Sequence, residues 1–359
     1  MSIHFHRLTI KQIKKETSDC VSVLFEVPEN LKEIFGFTQG QNITLRTFQN
    51  GQELRRSYSI CAAPHENELR VAVKKMDNGQ FSSWANTELK AGDIIEVLPP
   101  TGRFYTELNP ANKKKYAAFA AGSGITPIIS IIKSVLRNEP HSEFTLIYGN
   151  KSISSIIFKE EIEAIKNKYI NRFNPVFILS RETTDAPLFN GRIDTKKLSE
   201  LSKIFNWKSF DEFFLCGPEQ MIFSVQIWLE QQGIEKKKIH FELFTTPDQT
   251  TVRSNRKLDS STKSAPASQV TIKLDGRSFD FDLAFEDEGI LDAALKQGAD
   301  LPFACKGGVC GTCRARLLEG KVEMDVNYAL EPEEVAAGFI LTCQSHPMTS
   351  KVVVDYDAR

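Results

Sequence analysis

The sequence predicts a multidomain protein with an antiparallel β-barrel, an α/β domain built on a parallel sheet, and a small α+β domain. Three observations lead to this prediction. The 359 residues exceed what a single hydrophobic core usually holds. Short strand-like runs fill residues 1–107, whereas strands alternate with helices over residues 108–244. Finally, four of the seven cysteines lie within residues 269–359.

Composition excludes several classes of protein. Hydrophobic residues make up 41% and charged residues 25% of the chain, which is typical of globular proteins and excludes a largely disordered one. No apolar run approaches the ~18–20 residues that span a bilayer, and the first residues lack the features of a signal peptide. No dense basic cluster with interleaved aromatics occurs. We therefore expect a cytoplasmic protein without a membrane or nucleic-acid partner.

The charge is unevenly distributed along the chain. Residues 269–359 hold 9 Lys and Arg against 16 Asp and Glu, a net charge of −7, so the preceding residues carry +6 of the total of −1. This asymmetry fits electrostatic docking of an acidic module on a basic body. It fits a solvated acidic surface equally well.

Residues 1–107 are predicted to form the barrel because five apolar or alternating runs are separated by Gly, Asn and Pro turns. These predicted strands are 20–27, 41–48, 57–62, 69–75 and 94–99. One helix, capped by Ser82 or Ser83 and ending at Leu89, is expected to interrupt them.

Residues 108–244 read as strands alternating with helices. A buried-type strand at 116–121 leads into the turn from Gly122 to Pro127 and a helix at 128–136. Another predicted strand, 213–216, precedes Gly217, Pro218 and a helix that ends near 232. Such alternation predicts a parallel sheet, and parallel sheets bind ligands at the carboxyl ends of their strands.

Residues 245–268 are nearly free of large apolar side chains, so we expect a flexible linker there. Beyond it, runs at 270–274 and 278–283 flank Asp275 and Gly276, which predicts a hairpin. A helix is expected at 290–297.

The cysteine pattern is the strongest chemical signal. Cys305, Cys310 and Cys313 have the spacing C-x4-C-x2-C, and Cys343 follows after 29 intervening residues. This is the plant-type spacing for a [2Fe–2S] cluster, in which four thiolates surround the inorganic core. The alternative is a structural zinc site, but zinc sites usually take cysteines as two closely spaced pairs.

Four further motifs follow one another along the chain. They are Arg56-Ser57-Tyr58-Ser59, Gly79-Gln80-Phe81-Ser82, Gly122-Ser-Gly124-Ile-Thr126-Pro127 and Cys216-Gly217-Pro218. Alone, each one also fits an ordinary strand or loop. Together and in this order they resemble the ferredoxin–NADP⁺ reductase superfamily, and residues 269–359 resemble plant-type [2Fe–2S] ferredoxins of the β-grasp fold. The implied domains are an FAD-binding β-barrel (1–107), an NAD(P)-binding α/β domain (108–244), the linker (245–268) and the ferredoxin (269–359).

The resemblance implies that the barrel binds FAD. Arg56 would neutralise the pyrophosphate, Tyr58 would stack on the isoalloxazine, and Ser59 would hydrogen-bond near N5. The remaining FAD contacts implied by the resemblance come from Ser57, Val71, Val73, Lys74, Gly79, Gln80, Phe81 and Ser82.

The resemblance also implies a nicotinamide site. Its loops would be Gly122, Gly124, Thr126 and Pro127 after one strand, and Gly217 and Pro218 after another. Cys216 would lie beside the nicotinamide C4, although a small buried hydrophobe is its alternative interpretation. Ser180 and Arg181 resemble a pair that binds a 2′-phosphate, which favours NADPH over NADH.

As a whole, the chain resembles the reductase components of bacterial ring-modifying oxygenases, in which FAD comes first and the ferredoxin last. This implies that Tyr58, Ser59 and Cys216 serve hydride transfer from NADPH to FAD. The cluster would then pass single electrons to an oxygenase, here expected to be a multi-subunit di-iron enzyme. Reductases for steroid hydroxylases or for the hybrid-cluster protein, a stand-alone reductase of small molecules, and a zinc-stabilised interaction protein remain the alternatives.

Overall fold

A computed structural model describes residues 4–49, 51–244, 267–285 and 288–358. The chain divides into two compact units, described separately below. The larger comprises His6–Leu54 and Tyr58–Phe244, and the smaller contains the C-terminal domain. Most of the predicted linker, 245–266, lies outside the described residues. None of the described helices has the length and apolarity needed to cross a membrane.

The first described sheet is antiparallel, as predicted, with the strand order β4-β3-β6-β1-β2-β5. Its strands are β1 (His6–Thr17), β2 (Cys20–Glu26), β3 (Asn42–Gln49), β4 (Gln52–Ser59), β5 (Leu69–Lys74) and β6 (Ile94–Val97). A bridge between Ile60 and Val71 joins the end of β4 to β5, which closes the sheet into a barrel. Inward-facing apolar side chains such as Leu8, Val23 and Ile43 are fully buried in its core.

Two details of the barrel differ from the sequence prediction. Strand β1 was not predicted, because its polar, lysine-rich alternation lacks an apolar run. The helix α1 (Gln80–Thr87) begins earlier than a Ser82 or Ser83 cap would allow, with Gly79 at its N-cap. Ser82 lies in the first turn instead, where its Oγ accepts a hydrogen bond from the Met76 amide at 3.1 Å.

The second described sheet is parallel, as predicted, with the order β11-β10-β7-β8-β9. Its strands are β7 (Lys115–Ala121), β8 (Glu143–Asn150), β9 (Phe173–Leu179), β10 (Glu212–Gly217) and β11 (Ile239–Leu243), and its helices are α2 (Ile125–Asn138), α3 (Lys159–Lys168), α4 (Thr195–Leu201) and α5 (Glu219–Gln231). The chain order reverses between β7 and β10. Ligands of open α/β sheets bind at such a switch point, at the carboxyl ends of the strands.

The smaller unit contains a mixed sheet of order β13-β12-β18-β14-β16 and a two-stranded sheet, β15-β17. The strands are β12 (Ala267–Leu274), β13 (Arg277–Ala284), β14 (Arg314–Glu319), β15 (Val322–Met324), β16 (Phe339–Leu341), β17 (Ser345–Pro347) and β18 (Lys351–Asp355), and the helices are α6 (Ile290–Lys296) and α7 (Pro332–Ala336). Strand β12 already begins at Ala267, two residues before the predicted boundary. The predicted hairpin is confirmed: Asp275 and Gly276 turn with φ of 53° and 70°.

Candidate functional site

The end of β4 presents the first group of predicted flavin residues. Arg56, Ser57 and Tyr58 are half-buried, whereas Ser59 is only 3% exposed. The Tyr58 ring packs against Phe81 of α1, with ring centroids 5.5 Å apart. Phe81 is buried and also packs on Trp84, so it forms a fixed support for the Tyr58 ring. A half-exposed aromatic ring with a rigid backing is a suitable surface for a planar ligand.

Most of the other predicted flavin contacts would be made by backbone atoms rather than by side chains. Val71 and Val73 are fully buried in the barrel core, so only their backbone can face a ligand. The segment from Gly79 to Ser82 forms the amino terminus of α1, where backbone amides and the helix dipole favour an anion. Lys74 adds positive charge at the end of β5, with Nζ 3.6 Å from the Asp19 carboxylate.

The loops after β7 and β10 meet closely at the switch point. A Cβ on Gly124 would lie 2.1 Å from the carbonyl oxygen of Cys216, so any larger residue would separate the loops. Gly122 has φ of 53°, and its carbonyl accepts a hydrogen bond from Tyr148 at 2.8 Å. Thr126 is buried and donates to the Ser123 carbonyl at 3.0 Å, so its hydroxyl closes the turn.

The remaining residues of these loops have different surroundings. Pro127 is buried in the first turn of α2, where its missing amide proton costs no hydrogen bond. Gly217 is half-buried and Pro218 exposed at the carboxyl end of β10. The backbone of Gly217, rather than a side chain, is thus the part of this loop that a ligand can approach.

Ser59, Cys216 and a residue not predicted from sequence, Glu242, come together at this edge. The Ser59 Oγ donates to the Glu242 Oε2 at 2.9 Å. Glu242 is the neighbour of Cys216 across the β10–β11 register. Burial raises the pKa of the Cys216 thiol well above its ordinary value, and the Glu242 carboxylate raises this pKa further. Cys216 therefore keeps its proton as a neutral thiol.

Sequence reasoning missed Glu242 because it lies outside every recognised motif. The signal that was available is its position: an acidic residue inside a short, mostly apolar terminal strand. Burying a carboxylate part-way into a sheet is unfavourable unless it has a partner. Ser59 provides one.

Ser180 and Arg181 lie beyond the end of β9, and both are exposed. Their amides donate to the carbonyls of Asn150 (2.9 Å) and Lys151 (2.8 Å), which ties this loop to the one after β8. The Glu182 carboxylate accepts from the Ile153 amide at 2.8 Å. The loop is thus held in place while the Arg181 guanidinium extends into solvent at the carboxyl edge of the sheet.

The four predicted cluster cysteines come together as two pairs in the smaller unit. Hydrogen bonding between Cys305 and Cys310 lowers the pKa of Cys310 and raises that of Cys305. Hydrogen bonding to Cys343 similarly raises the pKa of Cys313, and burial adds to this shift. Among the described residues, no group of three or more His, Cys, Asp or Glu side chains is placed closely enough to hold a metal ion.

The loop backbone also points toward the sulfurs. The Gly307 amide donates to the Cys305 Sγ at 3.3 Å. Gly308 has φ of 72° and its Cβ would lie 2.8 Å from the Val326 carbonyl, so only glycine fits. Thr312 is 3% exposed, and together with Cys305 it lowers the pKa of the Cys310 thiol.

These donor sets fit the implied cofactors. Two thiol pairs suit two irons, each of which takes two cysteines in a [2Fe–2S] cluster, better than they suit one ion. A backed aromatic ring and a helix amino terminus suit an aromatic dinucleotide such as FAD. The glycine-lined switch point suits a second nucleotide.

Comparisons with known protein families match three successive parts of the chain. The model of the oxidoreductase FAD-binding domain matches residues 7–105, that of the oxidoreductase NAD-binding domain matches residues 119–226, and that of the 2Fe-2S iron-sulfur cluster binding domain matches residues 272–348. The expected cofactor classes are therefore confirmed, and electrons pass from NAD(P)H through FAD to a [2Fe–2S] cluster.

The fold resembles that of phthalate dioxygenase reductase, with a TM-score of 0.58 at 23% identity and 98% coverage of both chains. An intact type IV self-sufficient cytochrome P450 monooxygenase gives a TM-score of 0.68 at 20% identity, covering 98% of this chain and 41% of that one. These likenesses confirm the predicted multidomain architecture.

Two curated relatives match over nearly their full lengths. A component of the 1,2-phenylacetyl-CoA epoxidase of Escherichia coli K12 is 45% identical over 356 residues, covering 99% of this chain and 98% of that protein. The ferredoxin reductase component of 3-ketosteroid-9-alpha-monooxygenase from Rhodococcus rhodochrous is 32% identical over 352 residues, covering 97% and 96%. The chain therefore belongs to the family of reductases, with FAD-binding, NAD-binding and [2Fe–2S] domains in that order, that includes both of these proteins.

Proposed function

We propose that this protein is the cytoplasmic, NADPH-dependent reductase of a phenylacetyl-CoA epoxidase. The observation that supports the reductase chemistry most directly is the convergence of Ser59, Glu242 and Cys216 at the carboxyl edge of the parallel sheet. A barrel residue and two strand-end residues of the nucleotide domain meet there. Such a meeting point is where a flavin and a nicotinamide ring can be held face to face.

Each residue of the nucleotide sites has a distinct task in this proposal. Arg56 and the amino terminus of α1 hold the FAD pyrophosphate, and Tyr58 carries the isoalloxazine. Ser59 donates its only hydroxyl proton to Glu242, so its oxygen lone pairs remain available to accept a hydrogen bond. Cys216 would stay protonated beside the nicotinamide, so that no thiolate nucleophile faces the ring.

In the smaller unit, Cys305 and Cys310 would hold one iron, and Cys313 and Cys343 would hold the other. When bound, FAD accepts two electrons as a hydride and the cluster accepts one electron at a time, which converts a two-electron donor into a one-electron source. The chain contributes placement, hydrogen bonds and exclusion of water around these groups. The Gly307 amide stabilises negative charge on the Cys305 sulfur.

The choice of NADPH rests on the loop after β9. A 2′-phosphate needs a cation, whereas the 2′-hydroxyl of NADH is usually bound by a carboxylate. Arg181 is exposed at the sheet edge, and Glu182, the acidic residue beside it, is engaged by the Ile153 amide. This arrangement favours the phosphorylated cofactor.

The choice of partner rests on the 45% identity to the E. coli epoxidase component, against 32% to the steroid-monooxygenase component. The partner would be a multi-subunit, di-iron oxygenase. Glycine betaine monooxygenase reductase subunits also match, at 28% identity for Pseudomonas aeruginosa. Reductases of this family thus serve different oxygenases.

The test is reconstitution. The purified reductase, with NADPH, is combined in parallel with the oxygenase subunits of a phenylacetyl-CoA epoxidase and with a 3-ketosteroid-9-alpha-monooxygenase oxygenase. We expect phenylacetyl-CoA-dependent NADPH oxidation with the first and only background oxidation with the second. Equal or preferential coupling to the steroid oxygenase would reject the partner.

A truncated chain that ends at Phe244 separates this proposal from a stand-alone reductase. The proposal requires the truncation to abolish electron transfer to the oxygenase while ferricyanide reduction by NADPH continues. Full activity of the truncated chain toward its physiological acceptor would instead identify a small-molecule reductase.

A further inference from the structure

The last described residues reach back toward the predicted cluster. Tyr356 follows β18, and its ring is buried in the apolar core of the smaller unit together with Cys313 and Cys343. Its hydroxyl lies 2.6 Å from the Thr342 Oγ1. Thr342 is fully buried and immediately precedes Cys343. A terminal residue thus contacts the segment that carries a proposed iron ligand.

The direction of these hydrogen bonds follows from proton counting. Thr342 has one hydroxyl proton and donates it to the Cys313 carbonyl at 3.0 Å. The proton between Tyr356 and Thr342 must therefore come from the tyrosine. The result is a chain of two hydroxyls, Tyr356 to Thr342 to Cys313, with both protons pointing toward Cys313. The Thr342 amide also donates to the same carbonyl, at 3.3 Å.

This chain joins the two cysteines of one pair. The Cys313 carbonyl accepts the last hydrogen bond of this chain, and Cys343 directly follows Thr342 in the sequence. Hydrogen bonds in a buried, low-dielectric environment strengthen one another, and they are costly to leave unmade. The position of one ligand relative to the other is therefore set partly by a hydroxyl that neither ligand touches.

The tail that carries Tyr356 is itself anchored. The Tyr356 amide donates to the Lys273 carbonyl at 2.9 Å. The next residue, Asp357, accepts hydrogen bonds from the amides of Asp275 and Gly276 at 2.9 and 3.0 Å. The Lys273 hydrogen bond therefore fixes the backbone of Tyr356, and the Asp357 carboxylate separately ties the hairpin turn to the residues that follow the tyrosine.

We propose that Tyr356 is a positioning residue for the [2Fe–2S] cluster: through Thr342 it orients the Cys313–Cys343 pair and raises the cluster's reduction potential. This inference rests on the proposed ligation by the four cysteines. The proton ends of both hydroxyl dipoles point toward the ligand pair, which favours the more negatively charged reduced cluster. Hydrogen bonding near the sulfurs is a recognised determinant of cluster potential.

The test compares Tyr356→Phe, Thr342→Val and Thr342→Ser in the full chain with its cofactors. Tyr356→Phe removes only the hydroxyl. We expect the equilibrium constant for reduction to fall about threefold, which at 59 mV per tenfold for one electron is a shift of about 28 mV to more negative potential. Cluster absorbance should also be lost several-fold faster in the presence of a chelator. Thr342→Val should shift both readouts at least as far, and Thr342→Ser, which retains the hydroxyl, should match the unmodified protein.

Asp357→Ala is the matched control because it weakens the same tail without touching the hydroxyl chain. It should lower the melting temperature of the smaller unit and leave the potential unchanged. The inference is overturned if Tyr356→Phe and Thr342→Val keep the original potential, or if Asp357→Ala shifts it equally. Absence of any iron–sulfur absorbance in the unmodified protein would instead refute the ligand assignment itself.

Discussion

Glu242 determines how the serine beside it is used. Its carboxylate accepts a hydrogen bond from the Ser59 hydroxyl at 2.9 Å, so the serine can act only as an acceptor toward a third group. The same carboxylate lies next to Cys216 in the register and opposes loss of the thiol proton. One acidic side chain therefore influences both polar groups at the proposed point of hydride transfer.

Replacing Glu242 with Gln should slow hydride transfer while nucleotide binding is preserved. The amide cannot hold the serine proton in the same way, and a small misplacement of a reacting group costs up to roughly 100-fold in rate. We expect flavin bleaching in stopped-flow experiments to slow roughly 10- to 100-fold, with less than about a twofold change in the NADPH dissociation constant. Glu235→Gln is the control, since Glu235 is exposed and pairs only with Lys237 among the ion pairs described. Unchanged bleaching in Glu242→Gln would show that the carboxylate has no part in the step.

Arg181→Ala tests the nucleotide preference. A charge-assisted hydrogen bond to phosphate contributes about 1.5–3 kcal/mol, so its loss should raise the KM for NADPH roughly 10- to 100-fold. The KM for NADH should change little, because NADH has no 2′-phosphate. Arg192→Ala removes another exposed arginine of the same domain and should affect neither KM. Equal effects of Arg181→Ala on the two nucleotides would contradict the preference for NADPH.

At the scale of elements, prediction succeeded where a pattern had a local cause. The Asp275–Gly276 turn and the alternation of strands and helices in residues 108–244 were visible in sequence because turn chemistry and periodicity are local. Strand β1 and helix α4 were missed. The former is largely polar, and the latter is a short helix of which only three residues are buried. The site loops followed from motifs, but Glu242 depends on strand register, which no local pattern records.

The amino-terminal end of β10 provides a pH-dependent contribution to stability. Burial raises the pKa of Glu212, but His240, whose Nε2 lies 3.4 Å from the carboxylate, the Lys114 ammonium and the nearby Thr106 together outweigh this effect and lower the pKa to about 2. These groups join β10 to β11 and to the residue before β7. Because the folded-state pKa lies below the unfolded value, the stabilisation is present above pH 4.5 and is lost as the pH falls toward 2.

Glu212→Gln should therefore remove this pH-dependent contribution to the free energy of unfolding without affecting the nucleotide site at the opposite end of the sheet. In urea denaturation followed by tryptophan fluorescence, the unmodified protein should lose roughly 1 kcal/mol more than the variant between about pH 7 and pH 4. The KM for NADPH should be the same in both proteins at neutral pH. Parallel pH profiles of the two free energies of unfolding would show that Glu212 has an ordinary pKa.

At the scale of the whole molecule, the domain order separates two kinds of electron transfer. The larger unit contains Tyr58, Ser59 and Cys216, the residues proposed for hydride transfer, and the smaller unit contains the cysteines proposed for the cluster. The net charge of −7 from residue 269 onward, against +6 before it, gives the two parts of the chain opposite charge. This asymmetry fits electrostatic docking of the acidic part on the basic part, and it fits a solvated acidic surface equally well.

Cys313→Ser should separate flavin reduction by NADPH from electron transfer through the cluster. Serine is a poor substitute for a thiolate ligand of iron, so we expect loss of the iron–sulfur absorbance, of bound iron and of NADPH-dependent cytochrome c reduction. Flavin reduction by NADPH and direct ferricyanide reduction should persist, because the residues proposed for hydride transfer lie in the larger unit. Cys20→Ser, a matched change at a buried barrel cysteine, should keep every one of these activities. If Cys313→Ser retained cytochrome c reduction together with the visible cluster spectrum, electrons would not require this ligand set, and the assignment of the four cysteines to a [2Fe–2S] cluster would fail.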